Sequence, residues 1–119
     1  MSLSVGVKLD EYPMLIAQKS ADILQFKNEL SRLQDKLAAA DVEIERLVLK
    51  LDKKEFPNEK ARDVFRHDCR SKGDYKVVVT SVTDMLYAVK VAELELQYLR
   101  DSFSVAKLDL QDAIAATYQ

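Results

Sequence analysis

The chain has 119 residues, of which 48% are hydrophobic and 32% charged, with two Gly, two Pro, no Trp and one Cys. That length bounds it to one domain, and the mixture fits amphipathic helices rather than a disordered chain. The formal net charge of −2 predicts no strong attraction of the whole molecule to nucleic acid or to an anionic membrane.

Nine Phe and Tyr residues are too few for a large aromatic-lined pocket. The single Cys69 excludes an internal disulfide and a thiolate metal cluster, and suits a reducing compartment. The N-terminus shows no secretory signal, and the apolar runs fall far short of the roughly 20 residues that span a bilayer. A cytoplasmic protein is expected.

Residues 1–9 read as a flexible arm, and a first long helix is expected over 10–53. Asp10 is placed to cap it, with Pro13 in the first turn, where a missing N–H has no intrahelical partner. An apolar seam with alternating spacings of three and four runs through it as Leu9, Tyr12, Ile16, Lys19, Ile23 and Phe26, then Leu30, Leu33, Leu37, Ala40, Ile44, Leu47 and Leu51. Such spacing keeps a narrow stripe facing a partner helix. Lys19 is its one charged member.

A short connecting helix is expected over 58–71, capped by Asn58 behind Pro57. Val64, Phe65 and Cys69 are expected to share one side and to plug the end between the long helices. Lys60, Arg62, Arg66, Arg70 and Lys72 are expected to be exposed. His67 stands two residues from Cys69, which turns the two side chains far apart on a helix. No second His or Cys completes a metal site, and no base is placed to activate the thiol. No catalytic, metal-binding or cofactor-binding residue is therefore assigned, and an enzyme is not expected. Residues 53–76 hold eight Lys or Arg against five Asp or Glu. The Lys and Arg of this connector, which include Lys53 and Lys54 besides those just named, are the candidate contacts for a nucleic-acid phosphate backbone. The interleaved acids offset them through pairs three and four residues apart.

The second long helix is expected over 74–117, after Gly73 as the end of the connector and with Asp74 as its cap. Its seam runs as Tyr75, Val78, Val82, Met85, Val89 and Ala92, then Leu96, Leu99, Phe103, Ala106, Leu110 and Ala113. This unbroken pattern outweighs the strand propensity of Val77–Thr80. The two seams predict an all-α protein: a long antiparallel helical hairpin of coiled-coil type with a short connecting helix. Setting Leu51 beside Tyr75 places Ala40 opposite Met85 and Ala92 opposite Leu33.

The second long helix carries more apolar surface than one partner covers. Val91, Leu94, Tyr98, Val105 and Leu108 form a second line off the seam, extended by Leu86 and Tyr87. Self-association of two hairpins into a four-helix bundle, as a homodimer or higher oligomer, is expected to cover it.

The connector, read as PNEKARDVFRHDCRSKGDY between two long helices, resembles small helical coiled-coil proteins of bacteriophages, prophages and bacteria. The matching residues are Asn58, Glu59, Arg62, Asp74 and Tyr75, and LRDSFSVAKLDL from Leu99 to Leu110 is also similar. The likeness spans about residues 50–110. It implies a small non-enzymatic accessory protein close to DNA replication or recombination, and supplies no catalytic residue. The leading expectation is a coiled-coil adaptor that binds itself and a protein partner. The alternative is a DNA-binding accessory protein acting through the basic connector.

Overall fold

The protein is described by a computed structural model covering residues 6–118, and residues 1–5, most of the expected arm, lie outside the described residues. A 3₁₀ turn at Leu9–Glu11 leads directly into helix α1 at Tyr12–Leu49, followed by α2 at Glu59–Arg70 and α3 at Gly73–Thr117. The fold is all-α, with no strand among the described residues. Among the described residues no helix is long and apolar enough to cross a membrane.

The helix ends show which local groups won. Asp10 lies inside the 3₁₀ turn rather than capping α1. α1 stops at Leu49, short of 53. There the Asp52 carboxylate accepts the Lys54 N–H at 2.9 Å and the Asp52 carbonyl accepts the Phe56 N–H at 2.9 Å. A short side chain that binds the backbone two residues on competes with helix continuation. Asn58 does cap α2, its Oδ1 accepting the Ala61 N–H at 2.9 Å. Gly73 is not a left-handed cap: Ser71 terminates α2, and Gly73 is the first residue of α3. Asp74 stands in the first turn of α3, where a negative charge suits the helix dipole.

The chain divides into two compact units. The first joins the chain up to Lys27 with the chain from Tyr87 onward. Its core is Ile23 against Ala92 and Leu96, with Ile16 and Phe26 packed around them. Tyr12 stacks on Phe103 with ring centroids 5.4 Å apart. Lys19, the charged seam member, donates to Glu95 at 2.9 Å, and Lys27 reaches Glu93 at 3.6 Å. Lys19 is thus satisfied by a carboxylate at the seam's edge rather than left as a buried charge.

The second unit is residues 28–86. Leu33, Ile44, Val48, Val78 and the seam around them supply its buried side chains. Tyr75 does not lie beside Leu51: its hydroxyl donates to Asp41 at 2.9 Å.

These pairings correct the expected register. Ala92 packs on Ile23 rather than facing Leu33. In each unit a residue meets a partner about eleven positions, or three helical turns, earlier in α3 than expected. Opposite Phe103 the first helix is only beginning, and the seam beyond Ala106 is exposed at Leu110 and Ala113. A local change accompanies this near the end of α1. Leu47 is 40% exposed, whereas Val48, outside the expected seam, is 7% exposed.

The two neighbours therefore respond differently to a charge. Val48→Asp lowers unfolding free energy by about 3 kcal/mol or more, because it buries an unpaired carboxylate. Leu47→Asp stays within about 1 kcal/mol. Urea denaturation of the two variants checks this; equal losses would mean that the buried face is misplaced.

Candidate interaction surfaces

The connector is held to α1 by charge. No residue of α2 is buried. Arg66 Nε donates to Glu45 Oε1 at 2.7 Å, and its Nη2 donates to Glu45 Oε2 at 3.3 Å. Its Nη1 donates to Asp63 at 2.7 Å and also to Glu59. The guanidinium fork suits such two-pronged contact with carboxylate. The hydrogen bonds to Glu45, then to Glu59 and Asp63, hold the Arg66 pKa above its ordinary value. Only 17% of the side chain is exposed. The expectation of an exposed Arg66 is corrected, since three carboxylates enclose it.

One turn further along, Arg70 Nε lies 3.4 Å from Asp41 Oδ1, the atom that accepts the Tyr75 hydroxyl. Arg66 and Arg70 are four apart on α2, as are Asp41 and Glu45 on α1, and the pairs meet in reversed order. That matched spacing is the sequence signal that would have found the contact. A charge count confined to residues 53–76 could not, because Asp41 and Glu45 come from α1.

The other candidate phosphate contacts separate into two groups. Arg62 pairs with Glu59 at 3.7 Å and Lys72 with Asp68 at 3.7 Å. Lys53, Lys54 and Lys60 are exposed and have no carboxylate partner among the described residues. The structure does not gather all seven cations into one bare patch.

Phe56 and Phe65 meet edge to face at 5.8 Å, a favoured aromatic geometry. Val64 does not join them; it is exposed, while Phe65 and Cys69 are half-buried. On the 100° helical repeat Val64 turns away from the side that Phe65 and Cys69 share. Cys69 borders an open groove with Ala40, Ile44, Leu47 and Tyr75. His67 is exposed. Among the described residues no three His, Cys, Asp or Glu side chains are grouped to hold a metal ion.

The outer line on α3 is a regularly spaced apolar surface. Leu86, Tyr87, Leu94, Val105 and Leu108 are exposed, at 72% for Tyr87 and 67% for Leu94. Tyr98 sits at the edge of exposure and Val91 is half-buried. From Tyr87 to Leu108 these positions recur at alternating spacings of four and three, with Asp101 filling the one polar place. The expected stripe is thus a second helical seam, turned about 200° from the buried one.

No protein-family model, curated protein or solved structure matches this chain.

Tyr75 reports on the attachment of the connector. Burial, then the hydrogen bond to Asp41, raises its pKa above 10.0. The folded state favours the neutral phenol, so this contribution is complete below the unfolded pKa. It is lost as pH rises through the higher folded value. A phenolate absorbance titration, compared with Tyr75→Phe, should show one tyrosine titrating above the ordinary range. Arg66→Gln should speed amide hydrogen exchange in Glu59–Arg70 while leaving exchange around Ile23 and Leu96 unchanged. Unaltered exchange in α2 would mean that Arg66 does not hold it.

Proposed function

We propose that this chain is a non-enzymatic helical interaction protein. Its α1 and α3 form a long antiparallel hairpin of coiled-coil type. The hairpin associates with further copies as a four-helix bundle, and offers a helical surface to a protein partner as an adaptor. The observation that carries this reading is the exposed seam on α3, with Tyr87, Leu94, Val105 and Leu108 facing solvent at helical spacing. A contiguous apolar stripe of that kind is a docking surface more often than a solvated one, and a regular heptad spacing fits another helix. The likeness of the connector to accessory coiled-coil proteins of phages and bacteria agrees with such a role.

The DNA-binding alternative is the weaker one. Arg62, Arg66, Arg70 and Lys72 are already matched by carboxylates. Lys53, Lys54 and Lys60 leave a small, salt-sensitive attraction to phosphate.

Sedimentation of the unmodified chain at tens of micromolar, a range that populates a micromolar dimer, should show a dimer or larger species. Leu94→Glu with Tyr98→Glu should shift it to monomer with most of the helical circular dichroism retained. A monomer for the unmodified chain would refute the reading. Titration with single- and double-stranded oligonucleotides should show only weak binding that disappears as salt rises. Tight, salt-resistant binding would favour the alternative.

A further inference from the structure

The second seam of α3 carries its own instructions for what covers it. It is not uniformly apolar. Asp101 occupies one of its positions, and Asp112 follows Leu108 at the next step of four. Two tyrosines, Tyr87 and Tyr98, occupy others. A covering helix must therefore present apolar side chains at some levels and something polar opposite the two carboxylates.

We infer that the occupant is the same seam of a second copy, running antiparallel about a twofold axis that passes between Leu99 and Arg100. The inference rests on the self-association proposed above and specifies its geometry. In this arrangement Val91 faces Leu108 of the second copy and Leu94 faces its Val105. Tyr87 faces Asp112 of the second copy, and Tyr98 faces its Asp101. The twofold axis repeats each pairing. Every apolar member then meets an apolar member, and each carboxylate faces a tyrosine ring rather than an alkyl chain. The Tyr87 ring is largely exposed and Asp112 is exposed, so the phenol is free to donate to that carboxylate. Asp101 already accepts Gln97 Nε2 at 2.9 Å on Oδ1, so its charge is partly met within its own helix.

The alternatives fail on charge. Sliding the helices by one heptad sets Val91 against Asp101 in one direction and Leu94 against Asp112 in the other. Each slide desolvates a carboxylate against an alkyl chain. A parallel in-register pair sets Asp101 against Asp101 and Asp112 against Asp112, a like-charge confrontation. The chosen register also brings no like charges together at its flanks. Lys90 falls beside Gln111 of the second copy, and Glu95, which pairs with Lys19, falls beside its Ser102. Polar residues at seam positions are the usual means by which helices select one register and one direction.

The test uses the full chain with Cys69→Ser, so that no other thiol interferes. Leu94→Cys and Val105→Cys are made separately, mixed, allowed to exchange and oxidised, and the products are identified by mass spectrometry. A helix pair facing at one level brings two such residues within reach of a disulfide. The expected dominant product is the mixed disulfide between the two variants, exceeding either product of like with like. In a second measurement, Tyr87→Phe and Asp112→Ala each weaken the dimer about tenfold, since symmetry removes two hydrogen bonds at once. Combining them weakens it little further, because they remove the same contact. Predominance of like-with-like disulfides, or losses from the two substitutions that add in full, would overturn the antiparallel register while self-association stood. A chain that sediments as a monomer would overturn both.

Discussion

The fold-back of α2 onto the last turns of α1 governs how the second unit is assembled. It is made by two arginines on α2 and two carboxylates on α1, with Arg66 on Glu45 and Arg70 on Asp41. Asp41 also receives the Tyr75 hydroxyl. The chain thus returns alongside α1 rather than from beyond its end. α3 starts level with Asp41, and the register between the helices is displaced by three turns from one based on the lengths of the seams.

This attachment is chemically unlike the rest of the interior. The buried residues of α1 and α3 are apolar, and among the described residues none of the buried side chains is charged. α2 buries nothing fully and is joined by ion pairs that remain partly wet. Such contacts contribute modestly and are screened by salt, unlike apolar burial. Local opening free energies follow contact density and burial, so α2 is the helix most readily released. Its charges serve the fold first, which is why a cation count overstates what it offers a phosphate backbone.

The outward seam of α3 and the paired connector bear differently on the two functions weighed above. For the association proposed above, the apolar stripe repeating at heptad intervals calls for another helix, whereas the cations already paired with carboxylates have less to offer a polyanion. The aspartates within the stripe add direction to that demand. A stripe made only of leucine and valine would accept many registers, and one interrupted by carboxylates accepts few.

The amino-acid sequence by itself determined the all-α class, the three helices, the cap at Asn58 and most of the buried face of each long helix. Each follows from periodicity or from groups within a few residues of one another. The outward line on α3 was legible for the same reason, because side chains at heptad intervals share a face wherever the helix lies. The register was decided only by the tertiary structure, because both seams repeat every seven residues and interlock almost equally well after a slide. What broke that degeneracy was long-range: Asp41 and Glu45 capturing Tyr75, Arg66 and Arg70 from 21 to 34 positions away. The same contacts enclose Arg66 rather than leave it free. No local rule carries that information, since the energy of a charge depends on which carboxylates the folded chain brings beside it.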